Sequence, residues 1–173
     1  VGQKISECIL TDDNHQKKVL ITDLDNTLWS GVIGEDTEKG IHFREEGKGF
    51  KYILSGMNAE RILIAAECIG DARWFIKKSS DYAKERVVFG RPIGQNQGIQ
   101  FPIARAFSQT EAAEAILDKA SRLYEEGDTG GTYANMAKLL ASEASWAAAE
   151  ICMQTHGGFA VAEEYDVERK FRE

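Results

Sequence analysis

The sequence predicts a mainly α fold: an up-and-down helical bundle behind a short N-terminal strand-and-loop segment. Three observations lead there. Beyond about residue 49, apolar residues recur at steps of three and four over long stretches, which lines up one buried face on each helix. Glycine and proline are sparse inside those stretches and gather between them. The connections are also short, and short links between long helices make neighbours antiparallel.

Residues 1–45 are expected to form the N-terminal segment and residues 46–173 the bundle. In the first part, Lys17 to Thr27 is a β-branched run leading into a polar turn, the pattern of a buried strand ending in a functional loop. The first helix is predicted from about Gly49 to Glu85, with Ala65, Cys68, Ile69, Ala72, Phe75 and Ile76 facing inward. Gly90, Pro92, Gly94 and Gly98 then punctuate a loop. A second helix is predicted to about Glu126, with Ile99, Ile103, Phe107, Ile116, Leu117, Ala120 and Leu123 inward. Pro102 is placed in its first turn, where a missing N–H costs little.

Asp128 to Thr132 stops that helix and caps the next. The third helix is predicted from about Tyr133 to Thr155, with Met136, Leu140, Ala144, Ala147 and Ile151 along its inner face. Gly157-Gly158 ends it, and Glu163 to Glu173 reads as the opening of a fourth helix cut short. Long helices with a truncated fourth are expected to leave an apolar face uncovered, which favours a homo-oligomer.

Composition narrows the function. With 43% hydrophobic residues the chain can build a core, and a net charge of −7 argues against general binding to nucleic acid or a membrane surface. Cys8, Cys68 and Cys152 lack a CxxC spacing and read as free thiols. No apolar run approaches the roughly 18 residues of a membrane span, and no targeting pattern is present, so a cytoplasmic location is expected.

From about Glu46 onward, three motifs resemble the acyl-CoA dehydrogenase family. They are Gly47-Lys48-Gly49-Phe50 leading into Asn58-Ala59-Glu60-Arg61, then Glu85 to Ile93, then Gln154-Thr155-His156-Gly157-Gly158. The resemblance implies the family's C-terminal helical bundle, in incomplete form, and oxidation of an acyl thioester between its α and β carbons with FAD as hydride acceptor. The thioester would be carried on CoA or on an acyl carrier. It implies Glu60 as the base that removes the α-proton, a role that needs a carboxylate whose charged form is disfavoured by a dry pocket. It places Asn58 and Arg61 beside the acyl-CoA. Arg86 would meet the pyrophosphate of the flavin dinucleotide, because a guanidinium offers a planar, permanently charged fork of donors. Gln97 would contact the flavin from the loop that also holds Arg86, and Gln154, Gly157 and Gly158 would reach a flavin, often in a neighbouring subunit. Ala160 and Val161 stand where that family commonly has Gly-Phe, which is expected to crowd a flavin approaching there.

A second resemblance is confined to about Lys18–Gly40. Asp23-Leu24-Asp25-Asn26-Thr27 resembles the DxDxT motif of the haloacid-dehalogenase superfamily, and the string to Asp36 looks like its branch that loads glyceryl units onto carrier proteins. That resemblance implies Asp23 as nucleophile toward phosphate, Asp25 as acid and base, and Mg²⁺ held between them. The later motifs of that family have no counterpart before the helical pattern begins.

Overall fold

A computed structural model describes residues 29–30, 42–43, 49–127 and 131–173. Contacts group the chain into two units, Val1–Glu46 and Gly47–Glu173. In the first, strands β1 (Trp29–Ser30) and β2 (His42–Phe43) pair antiparallel, Trp29 opposite Phe43. The Lys17–Thr27 run, with Asp23 and Asp25, lies outside the described residues.

The second unit is the bundle. Helix α1 spans Gly49–Glu85, α2 Gln97–Glu125, α3 Gly131–His156 and α4 Val167–Arg172. Each of the three long helices packs against the other two. The mainly α expectation holds, and the long helices lie within two residues of where the periodicity puts them.

Their inner faces are made largely of alanine. On α3 the buried stripe is Ala134, Ala137, Ala141, Ala144 and Ala148, continuing to Cys152. On α2 it is Ala106, Thr110, Ala113, Leu117 and Ala120. Steps of three and four keep each set on one face, and methyl side chains let helix axes approach closely. Two layers result along the bundle. One joins Ala65 and Ile69 of α1 to Leu117 and Ala141; the other joins Ala72 and Phe75 to Ala106, Cys152, Ala160 and Val167.

Part of the inward faces expected for α2 and α3 is corrected: Leu117, Ala120 and Ala144 are buried as expected, whereas three larger residues are not. Met136 is 40% exposed, Leu140 36% and Phe107 52%. The larger side chains drew the expected stripe about 100° around α3 from the face that packs. Among the buried polar side chains, Ser79, Thr110 and Thr155 each donate a hydroxyl hydrogen bond to the carbonyl four residues earlier, at 2.8, 2.9 and 2.7 Å. Their burial therefore leaves no unmet donor.

Three local features differ from expectation. The segment after α1 is a β-hairpin rather than an open loop: β3 (Val87–Val88) pairs with β4 (Arg91–Pro92) across Phe89-Gly90. Both turn residues have positive φ, 53° and 79°, as a two-residue hairpin turn of the primed type requires. Helix α2 opens at Gln97, so Pro102 stands in its second turn, where the bond to the Gly98 carbonyl is missing. The predicted fourth helix is broken: a 3₁₀ turn at Glu163–Tyr165 precedes α4, with Asp166 between them at φ 57°.

Candidate functional site

The residues singled out by sequence fall into two groups at opposite ends of α1. Asn58, Glu60 and Arg61 lie in its first third. Glu60 is exposed. Asn58 is only 5% exposed. Its Oδ1 accepts a 2.8 Å hydrogen bond from Arg61 Nη1. A methyl placed on Gly131, the first residue of α3, would come within 3.0 Å of that same oxygen. Asn58 therefore sits wedged between α1 and the start of α3, and fixes the Arg61 guanidinium one turn away. Glycine at 131 permits this approach.

At the other end, α1 terminates at Glu85 and the chain folds back. The Arg86 amide donates to the Tyr82 carbonyl at 2.8 Å, and the Arg86 carbonyl accepts from the Ile93 amide at 2.9 Å. This closes the hairpin and brings Gln97, exposed at the start of α2, back toward the end of α1. The Arg86 guanidinium lies 5.2 Å from the ring centroid of Phe159. That contact joins Arg86 to the end of α3 and the turn after it, where Gln154 of the last helical turn and Gly157 and Gly158 beyond it are all exposed. Gly157 has φ 59°, the left-handed value that ends a helix, and a side chain built at Gly157 or Gly158 would meet nothing within 4 Å. Open glycine backbone beside an exposed arginine suits a ligand that needs close approach and carries negative charge.

Ala160 does not crowd this surface. It is buried in the second core layer, so its methyl points into the bundle. Val161, beside it, is exposed.

Behind the turn lies an aromatic cluster that sequence inspection missed. His156 stacks on Tyr82 with centroids 4.1 Å apart, and Tyr165 meets both rings edge-on at 5.6 and 5.7 Å. Tyr165 also touches Phe159, at 5.7 Å. Phe159 follows Gly157-Gly158 directly, and that adjacency was the available signal. His156 Nδ1 is 2.8 Å from the Cys152 carbonyl, so Nδ1 carries the proton and donates it. Burial pushes the His156 pKa below its ordinary value, only partly offset by that hydrogen bond; the Lys78 charge lowers it further.

Along α1, Glu60 and the helix end at Glu85, just before Arg86, are about 37 Å apart at 1.5 Å per residue. The structure thus brings Arg86 together with the Gly157–Val161 turn, and Asn58 together with Arg61, but it separates the two groups. Among the described residues no helix is long and apolar enough to cross a membrane.

Comparison with known proteins gives a consistent result. Residues 47–173 match the family described as acyl-CoA dehydrogenase, C-terminal domain. An acyl-CoA dehydrogenase of Bacillus subtilis is 41% identical over 129 residues, covering 75% of this chain and 34% of that protein. An acryloyl-CoA reductase (NADH) of Anaerotignum propionicum is 37% identical over 129 residues, covering 75% and 33%. The structure of butyryl-CoA dehydrogenase from Megasphaera elsdenii superimposes with a TM-score of 0.72 at 34% identity, over 78% of this chain and 35% of that one. The chain spans about a third of the length of these relatives, and the family match begins after Asp23 and Asp25 and does not bear on them. The bundle, its motifs and these likenesses agree, and the chain belongs to the acyl-CoA dehydrogenase family, whose C-terminal domain it carries.

Proposed function

We propose that this chain, through residues 47–173, serves as the C-terminal domain of a flavin-dependent oxidoreductase acting on acyl-CoA thioesters, and that it works as a homo-oligomer. The observation that carries this reading is the exposed surface where Arg86 meets the open Gly157-Gly158 turn. There Arg86 would pair with the pyrophosphate of FAD while Gln97 and Gln154 hydrogen-bond its polar edges. Bound FAD would supply the two-electron acceptor for the carbon–carbon bond.

Glu60 would hold the proton taken from the α-carbon, with Arg61 placed beside it by Asn58. The distance between Glu60 and Arg86 supports the oligomer. One flavin dinucleotide does not reach both ends of α1, so the Arg86 surface of one copy would serve a flavin whose substrate lies against Glu60 of another.

Titration of the purified chain with FAD, followed by the quenching of flavin fluorescence, tests the cofactor. Saturable uptake that Arg86→Gln weakens about tenfold is expected, since a charge-assisted hydrogen-bond pair is lost. A colourless protein that leaves added FAD free removes the flavin reading. If bound flavin is bleached by an acyl-CoA, Glu60→Gln should abolish the bleaching and retain the FAD.

A further inference from the structure

We propose that Phe159, braced by Tyr165, is a positioning residue that presents the Arg86 guanidinium to a bound pyrophosphate; this rests on the flavin dinucleotide reading above. Arg86 is exposed, yet its side chain makes no hydrogen bond or ion pair among the described residues. Its contact is with the Phe159 ring, 5.2 Å from the guanidinium carbon. In a chain of net charge −7, that guanidinium forms no ion pair with any carboxylate among the described residues. A carboxylate partner would hold the side chain equally well but would occupy the N–H donors that an anion needs. An aromatic face holds the cation by its charge and leaves those donors unspent.

The ring under Arg86 is itself fixed from behind. Phe159 packs against Tyr165 at 5.7 Å, and Tyr165 is pinned edge-on to Tyr82 of α1 and His156 of α3. Three separate stretches of chain therefore converge to set the position of one exposed ring. Without it, Arg86 would spread over many rotamers at the helix end and lose more freedom on binding. Phe159 thus acts on the ligand through Arg86 and needs no contact with it.

The experiment compares the full chain with Phe159→Leu, Phe159→Tyr and Arg86→Gln, and with the double variant carrying Phe159→Leu and Arg86→Gln. FAD affinity is read by flavin fluorescence. The arginine Nε–Hε signals are read by NMR with and without inorganic pyrophosphate. Phe159→Leu should weaken FAD binding about three- to fivefold, the size of an exposed cation–π contact, and Phe159→Tyr should restore it. In the Arg86→Gln background, Phe159→Leu should add nothing. The Arg86 Nε–Hε signal should lose its ring-current displacement in Phe159→Leu and should move on addition of pyrophosphate in the parent.

Equal losses in the leucine and tyrosine variants, or an undiminished leucine effect in the Arg86→Gln background, would overturn the proposal. So would FAD binding in Phe159→Leu that matches the parent, and that result leaves the flavin reading standing. Conversely, a parent chain that ignores FAD but whose Arg86 signal responds to pyrophosphate, and does so less in Phe159→Leu, sinks the flavin reading and keeps the positioning role. An Arg86 signal that pyrophosphate never moves sinks both.

Discussion

The imidazole of His156 lies on the ring of Tyr82, centroids 4.1 Å apart and planes 23° from parallel, with its Nδ1–H committed to the Cys152 carbonyl. A protonated ring would have to place a second charged N–H among Tyr82, Tyr165 and the core, with the Lys78 ammonium nearby. The folded-state pKa is therefore lowered, chiefly by burial, and folding excludes a proton that the unfolded chain accepts at about pH 6.5. The contribution is complete above that value and is lost as pH falls from there through the lowered folded value. Thermal melts between pH 8 and pH 5 should show stability declining below about pH 6.5. His156→Phe, which keeps a ring on Tyr82, should flatten that part of the curve. An unchanged slope in the variant would show that His156 does not titrate there.

Two glycines of the bundle should respond to alanine in opposite directions. A methyl on Gly94 would lie 2.9 Å from the Ala83 carbonyl oxygen, a backbone atom that cannot swing aside. Gly94→Ala should destabilise by about 1–3 kcal/mol as the 3₁₀ turn Ile93–Gln95, which contains Gly94, is pushed off α1. Gly70, exposed in the middle of α1, has nothing within 4 Å of a built methyl. Gly70→Ala should stabilise by about 1 kcal/mol through helix propensity alone. Urea unfolding of the two variants checks both signs.

Cys152 is fully buried, and burial pushes its thiol pKa up; the nearby Ser79 hydroxyl only partly offsets this. The thiolate is the reactive form, so Cys152 should resist iodoacetamide at pH 8 in the native protein and react once denaturant is added. Peptide mapping by mass spectrometry reads that cysteine separately from the others. Rapid native labelling at Cys152 would mean that the α1–α3 layer opens readily.

Much of this molecule was legible in the sequence, for identifiable reasons. Helix lengths followed from the three-and-four periodicity, and Gly90, Gly94 and Gly157 marked where the chain turns. Leu117, Ala120 and Ala144 were read correctly as inward, but the rest of the inner faces of α2 and α3 was partly misread because hydrophobic periodicity weights large side chains. Here alanines do the close packing, and Met136, Leu140 and Phe107 lie outside. The Phe89-Gly90 hairpin went unseen because strands of two residues leave no alternation to detect. The meeting of Arg86 with Phe159 joins residues 73 positions apart in the chain, and spacing does not report a contact of that kind.

The outward stripe of α3 carries the last prediction. Met136, Leu139 and Leu140 are exposed and lie on neighbouring turns, so they form one apolar strip along the helix rather than scattered single residues. Isolated exposed apolar side chains are ordinary, whereas a contiguous strip marks a surface that gains by being covered. Burying the exposed remainder of each of these side chains is worth about 1 kcal/mol, so covering the strip favours association between copies. Sedimentation velocity of the purified chain should therefore show self-association that strengthens with concentration. Leu139→Lys with Leu140→Lys should shift it toward monomer, because each lysine sets a charge where the partner surface would lie. Helicity should be unchanged, since neither side chain belongs to the alanine face that packs against α1 and α2. If the parent sediments as a monomer throughout, the strip is not a contact between copies, and the oligomer that the distance from Glu60 to Arg86 calls for must be built through another face.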